Sequence, residues 1–364
     1  MSRRPAGVTK KASYLFFGPL TKSRGSVRSV PAQPGPVLVG RGLALWSGGS
    51  SLASYAGAMQ ITALAGGVGG AKLLVGLQKA LGLRELTAIV NTADDAEIYG
   101  VHVSPDVDIV TYWLAGIADR ERGWGIRGDT FNVVDGLEAL GEQSWFRLGD
   151  RDLATCLHRT ERLNQGAPLS EVTAAAAERL GVPTRILPMS DDRVRTEITT
   201  SDDRTLKFQE YFVRERTEPE VAGVRFLGIE KATPAAGVLR AIEEADRVIL
   251  CPSNPIVSIG PILGISGVRE SLRRHPSVVA VSPIIRGSAL KGPADRLLTS
   301  LGFRSTASGV AELYRDFCDI FVVDATDSSE IDKVEAMGVS AAAANSLMRD
   351  ETDSVALARS LLRL

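Results

Sequence analysis

The sequence predicts an α/β protein. The expected architecture is a Rossmann-like, mostly parallel sheet with helices on both faces, plus an inserted α+β subdomain containing a hairpin. Three observations carry this. The strand candidates, such as 60–65 and 320–324, are short apolar runs that read as buried strands. Between residues 60 and 90 the order is strand, glycine-rich turn, helix, strand, a βαβ unit whose crossover is right-handed. The same alternation resumes after residue 230.

Composition sets the outer limits. The 364 residues carry 42 Lys+Arg and 43 Asp+Glu, with 44% apolar and 23% charged residues, close to globular averages. Collagen-like and disordered chains are excluded. Three scattered cysteines exclude a disulfide scaffold. No apolar run is long enough to span a membrane, so a cytoplasmic protein is expected. The first 58 residues hold eight basic residues and no acid, which leaves the remainder at a net charge of −9. This segment is also rich in Gly, Pro and Ser. Its apolar stretch is short for a secretory signal, and it is not visibly amphipathic as a transit peptide is. Its charges are scattered rather than clustered as in a nucleic-acid-binding arm. We read 1–58 as a basic extension, disordered or a start-site artefact, and 59–364 as the α/β domain.

The elements follow in order. Residues 60–65 form a buried strand. Gly66-Gly-Val-Gly-Gly-Ala-Lys72 then leads into a helix over 73–81 closed by Gly82, and 86–90 is the second strand. Backbone N–H groups at such a turn approach an anion closely, and a helix N-terminus favours negative charge; Lys72 adds a cation. The turn matches neither the dinucleotide fingerprint nor the P-loop. Packing alone is the rival explanation, but four glycines in five positions exceed what one turn requires. Strand two ends in Asn91-Thr-Ala-Asp94-Asp95, and Ser104-Pro-Asp106-Val-Asp108 follows. These carboxylates fall after strand C-termini, where open α/β sheets bind ligands. Clustered Asp suits a hard cation such as Mg²⁺, although Asp and Asn also mark plain turns.

Further along, 124–130 is a loop with glycines, an Arg and an Asp. Arg151 and Arg159 suit either phosphates or helix-surface ion pairs. The stretch 151–230 is expected to be the inserted subdomain. Within it lie a helix over 170–180 with Ser170 as N-cap, a strand-like 184–188, and a hairpin of 194–200 with 205–213. Then come a helix from Thr233-Pro234 to Ala245 and strands 247–250, 277–281 and 320–324. Ser253 and Asn254, in a loop dense in turn formers, offer groups that read a base or hold a phosphate. Arg286 and Lys291 share a glycine-bearing loop at the next strand end. His102, His158 and His275 show no metal-ligand spacing, and Cys251 reads as a small buried residue.

Together these loops resemble the 2-phospho-L-lactate transferase family of coenzyme F-420 biosynthesis. The resemblance covers about 59–364. It rests on the order of Ala65-Gly-Gly-Val-Gly-Gly-Ala-Lys72, Asn91-Thr-Ala-Asp-Asp95, Ser104-Pro-Asp-Val-Asp108, Gly128-Asp-Thr130, Leu148-Gly-Asp-Arg-Asp152, Met189-Ser-Asp191, Phe208-Gln-Glu-Tyr-Phe212, Pro252-Ser-Asn-Pro255, Ser282-Pro-Ile-Ile285 and Lys291-Gly-Pro293. The chain is most similar to the actinobacterial version, which uses phosphoenolpyruvate. The resemblance implies transfer of a phosphoenolpyruvyl or 2-phospholactyl group from its guanosine diphosphate conjugate to the ribityl hydroxyl of the deazaflavin Fo. GMP leaves, Mg²⁺ is required, and a homodimer is implied. By the same analogy Asp95 and Asp108 are metal ligands and carry the catalysis. Asp94 or Asp106 supports the metal or accepts the ribityl proton. Gly66, Gly67, Gly69 and Gly70 line the phosphate path, Lys72, Asn91 and Asp94 also bind substrate, and Ser253, Asn254, Arg286 and Lys291 hold the guanosine side. Trp113 and Trp124 are candidates for the deazaflavin slot. No nucleic acid or membrane partner is implied. A non-catalytic nucleotide-binding regulator of the same fold is the alternative, disfavoured by the acidic pair. An NAD-dependent dehydrogenase is weakened by the fingerprint mismatch and by Asn91 at the end of strand two.

Overall fold

The computed structural model describes residues 59–81 and 86–364; the extension 1–58 and the helix-closing Gly82 lie outside them. Strand β1 (Ile61–Ala65) is buried along its whole length. It sits fifth from one edge and third from the other, inside a seven-stranded parallel sheet. The glycine-rich segment is already helical, because α1 (Gly67–Leu81) begins at its second glycine rather than at Leu73. Strand β2 (Leu86–Val90) pairs with β1, with Ala65 level with Val90. A short hairpin, β3 (Ala96–Ile98) and β4 (Val101–Val103), lies between the two acidic motifs and was not expected. Helix α2 (Pro105–Leu114) follows with Asp106 and Asp108 in its first turn.

Three helices lead to the next sheet strand: α3 (Asn132–Ala139), α4 (Asp150–Asn164) and α5 (Leu169–Arg179). Strand β5 (Arg185–Pro188) then pairs with β2 at the sheet edge. The stretch 151–230 is therefore not one inserted unit, since β5 inside it extends the main sheet. Helix α5 starts at Leu169, and the Ser170 side chain bonds Asp191 instead of capping. The expected hairpin is present as β6 (Arg195–Thr200) and β7 (Thr205–Lys207), but a third strand, β8 (Val221–Leu227), completes an antiparallel sheet. The second hairpin strand stops early because 210–214 coil into a wide helical turn that buries Tyr211.

The alternation then resumes. Helix α6 (Val238–Glu243) starts after Gly237, later than Thr233, whose side chain and N–H both bond Asp192. Strand β9 (Arg247–Leu250) pairs with the free side of β1, with Leu250 level with Leu64. After it come α7 (Ile259–Gly264), α8 (Val268–Arg274) and β10 (Val278–Val281). The small hairpin β11 (Ile284–Ile285) and β12 (Ser288–Ala289), α9 (Ala294–Ser300), α10 (Ala307–Tyr314), β13 (Ile320–Asp324), α11 (Ile331–Glu335), β14 (Ser340–Ala344) and α12 (Glu351–Leu361) complete the chain. The sheet order is β14-β13-β10-β9-β1-β2-β5.

Alternation along β1 separates two covered faces. Ile61, Ala63 and Ala65 join the core with Leu73, Leu74 and Leu77 of α1, Val107 and Val110 of α2, and Leu357 of α12. Thr62 points the other way and donates to the Ala241 carbonyl of α6. The order turns outward on either side of β1. The loops after β1, β2 and β9 thus open on one edge, at the switch point where such sheets form their crevice.

The glycines of α1 serve the packing of that edge. A Cβ on Gly69 would collide with the Pro252 carbonyl, and one on Gly70 would lie 2.7 Å from Ser253 Oγ. Gly69→Ala is expected to lower stability by about 1–3 kcal/mol, as overpacking does. Gly136, in α3, meets nothing within 4 Å. Gly136→Ala should be neutral or stabilise by up to about 1 kcal/mol. Paired denaturant titrations check both.

Candidate active site

Strand β1 delivers the chain to Gly66. Its N–H donates to Ser253 Oγ at 3.0 Å, and that hydroxyl donates to the Gly66 carbonyl at 2.8 Å. Ser253 thereby ties the β1 loop to the β9 loop. Asn254 Oδ1 accepts from the Ile256 and Val257 amides, so it shapes its own loop. Ser253 Oγ and Asn254 Oδ1 are thus engaged within the crevice wall. The count of glycines needs no ligand to explain it, since Gly66, Gly69 and Gly70 each have a packing partner. Gly67 adopts φ +63° at the first helical position. Its N–H donates to Asp106 Oδ1 at 2.8 Å, so a protein carboxylate already meets the helix N-terminus.

The two acidic motifs converge here. Asn91, fully buried, donates through Nδ2 to Asp106 Oδ2 at 2.9 Å and Asp94 Oδ2 at 3.2 Å. Burial raises the Asp106 carboxyl to about 6, offset by the Asn91 and Gly67 donors. Burial, then the charge of Asp106, holds Asp94 well above the usual carboxylate range. Asp94 Oδ1 is buried without a hydrogen-bond partner, as are the Thr92 and Thr196 hydroxyls; Thr196 still offsets part of the Asp94 rise. Asp95 accepts from Ser104 Oγ at 2.7 Å and pairs with His102 Nε2 at 2.9 Å. Its charge acts on Asp94, Asp106 and Asp108 alike.

Asp108 forms a buried ion pair with Arg159. Burial nevertheless outweighs that partner and raises the Asp108 carboxyl. Next to it, Asp152 accepts from Tyr112 Oη at 2.8 Å; burial, then Asp108, pushes Asp152 up to about 7. Asp152, Cys156 and Arg159 line the buried side of α4 at helical spacing. Asp108, Asp152 and Cys156 bring ligand atoms within 4.8 Å of one another. Arg159 already bonds two of that trio, and burial keeps the Cys156 thiol protonated, so a metal suits this trio poorly. The set Asp94, Asp95, Asp106 and Asp108 has the ligand type that Mg²⁺ takes, although the only trio of ligand atoms within 4.8 Å among the described residues is Asp108, Asp152 and Cys156. The four carboxylates offer oxygen alone, and one oxygen lacks a partner.

The remaining candidates lie around this centre. Lys72 donates to the Met348 carbonyl at 2.7 Å, and burial and Lys291 lower its pKa. A Cβ on Gly123 would lie 2.6 Å from the Lys291 ammonium and 3.6 Å from Val68, so Lys291 sits beside the start of α1. Arg286 is exposed at a hairpin turn, with its N–H on Asp327. Trp113 is core, with Lys72 and Arg120 against its ring. Trp124 is 38% exposed and stands edge-on to Phe131 at 6.3 Å. Its neighbours Gly123 and Gly125 abut Lys291 and Asp152, which puts Trp124 at the rim. From the three-stranded sheet the Thr196 N–H donates to the Ala93 carbonyl at 2.7 Å, and from the helical turn after β7 Gln209 donates to the Asp94 carbonyl at 3.3 Å.

The pattern that defines the 2-phospho-L-lactate transferase CofD family matches residues 61–358. The chain belongs to this family. It is 43% identical over 312 residues to a phosphoenolpyruvate transferase of Streptomyces griseus, covering 84% of this chain and 98% of that one. It is 42% identical over 322 residues to a phosphoenolpyruvate transferase of Mycolicibacterium smegmatis, with the same coverage. A 2-phospho-L-lactate transferase of Methanosarcina acetivorans is 41% identical over 301 residues, covering 83% and 97%. A crystal structure of a UPF0052 family protein from Bacillus halodurans superposes with a TM-score of 0.57 at 16% identity, covering 84% and 98%; this likeness concerns the fold. As a member of the family the chain is a transferase. Among the described residues no helix is long and apolar enough to cross a membrane.

The raised Asp152 carboxyl has a measurable sign. The folded state retains a proton there that the unfolded chain loses near pH 4, so this group's contribution to stability falls as pH rises toward about 7. Asp152→Asn keeps an acceptor for Tyr112 and removes the titration. Its melting temperature relative to the parent protein should be higher by several degrees at pH 8 than at pH 5. An equal difference at both values would assign Asp152 an ordinary pKa.

Proposed function

We propose that this chain transfers a phosphoenolpyruvyl or 2-phospholactyl group from its guanosine diphosphate conjugate to the terminal ribityl hydroxyl of Fo, in F-420 biosynthesis. The hydroxyl oxygen bonds to the phosphorus bearing the three-carbon acid. The bond from that phosphorus to the bridging oxygen breaks, GMP leaves with the electron pair, and the hydroxyl proton is lost. A phosphodiester remains. The observation that carries this reading is the charge imbalance at the switch point of a chain from this family. Asp95 acts on Asp94, Asp106 and Asp108, Asp106 acts on Asp94, and Asp108 acts on Asp152, while Arg159 is the guanidinium bonded to Asp108.

Asp95 and Asp108 would hold Mg²⁺, with Asp94 and Asp106 behind them. When bound, Mg²⁺ neutralises the diphosphate and the phosphoryl group in transfer. Transfer at phosphorus is mainly positioning and charge neutralisation. Asp106 keeps Gly67 and Asn91 in place. Asp94 or Asp106 would support the metal or take the ribityl proton; the raised Asp94 carboxyl would have to lose its own proton first, as a bound cation favours. Lys72 and Lys291 would attract the anionic donor beside α1. Trp124 and Phe131 supply an aromatic rim of the kind a planar deazaflavin needs. We also propose that the protein works as a cytoplasmic homodimer.

A mass-spectrometric turnover assay tests the reading. Protein, Mg²⁺ and Fo are mixed with either the phosphoenolpyruvate or the phospholactate conjugate. Product from the first conjugate is expected. Product mainly from the second would change the acid, and no product from protein that binds guanosine nucleotides would favour a binding module. Asp95→Asn should lower turnover about a hundredfold or more while the fold persists.

A further inference from the structure

Helix α4 reaches the acidic centre through one fully buried cation. Arg159 places one guanidinium nitrogen on Asp108. The other donates to the His102 carbonyl at 3.1 Å and lies 3.8 Å from Cys156 Sγ. One residue on, Thr160 Oγ1 accepts from the His102 N–H at 2.7 Å. Both backbone polar groups of His102 are thus held by α4, and the His102 ring meets Asp95.

We propose that Arg159 is a positioning residue that sets Asp95 and Asp108 in one geometry, acting directly on Asp108 and through β4 and His102 on Asp95. The inference rests on the metal-dependent reading above. A buried ion pair is a poor source of net stability, because desolvation of both charges offsets their attraction. Orientation is what this pair supplies. A planar fork with several fixed donors can serve a carboxylate and a carbonyl at once. A lysine ammonium keeps the charge without that fork.

The test uses Mn²⁺ as a paramagnetic probe, titrated into the full chain and into Arg159→Lys. The parent protein should bind Mn²⁺. Arg159→Lys should fold, bind Mn²⁺ about tenfold or more weakly, and lose turnover through kcat with little change in the donor KM. Parent-like Mn²⁺ affinity in a folded Arg159→Lys overturns the inference and leaves the metal site standing. A parent protein that binds no Mn²⁺, with or without donor, overturns the metal-dependent reading and this inference with it. If Arg159→Lys does not fold, His102→Ala breaks the same path at a partly exposed residue; unchanged Mn²⁺ affinity there overturns the proposal.

Discussion

The burial of several carboxylates around a single guanidinium is the constraint from which the rest of the site follows. Water is excluded from Asp94, Asp106, Asp108 and Asp152, so each charge there is costly. The protein meets that cost with fixed donors. Gly67, Tyr112 and Arg159 each spend a hydrogen bond on one of these acids, and Asn91 spends one on each of two. Two of the acids stand in the first turn of α2, where the helix dipole favours negative charge. What the donors do not supply is a full set of opposite charges, so Asp94, Asp106 and Asp152 keep their protons to higher pH than an exposed carboxyl does.

Holding such a centre needs stiff surroundings. Ser253 bridges the loops after β1 and β9, and the missing side chains at Gly69 and Gly70 let those loops touch. The three-stranded sheet reaches the same place through Thr196, and the helical turn after β7 reaches it through Gln209. The motif around Phe208 acts at a distance in sequence. It forms part of the helical turn that carries Gln209 to the Asp94 backbone.

Much of this was legible in the residues. Unbroken apolar runs marked the central strands, and paired Asp motifs after strand two marked the crevice. Arg159 was visible but ambiguous. Its spacing of three and seven from Cys156 and Asp152 puts all three on one helix face, yet a charged residue on such a face gives no hint of its partner. The spacing of His102 gives no metal-ligand signal, and its ring supports the Asp95 carboxylate instead. The hairpin carrying His102 is too short for periodicity to register. Ser253 and Asn254 read as ligand groups because the same polar groups build loops and bind bases; Ser253 meets Gly66, 187 residues away, a neighbour that no local pattern announces. Helix starts at Gly67 and Val238 were missed because glycine and proline signals mark boundaries only to within a few residues.

The order of the strands also governs how the molecule comes to be made. Strand β1 lies between β2, which follows at once, and β9, more than 180 residues later. Helix α1 packs on α12, so closely that a Cβ on Gly76 would strike the Ser354 backbone. The first strand and helix of the domain therefore wait for the last helix before their core closes. A ribosome must release nearly the whole chain before the sheet centre is sealed on both sides. Until then an apolar strand and an acidic crevice stay open to chaperones and to neighbouring chains, a burden set by long-range pairing.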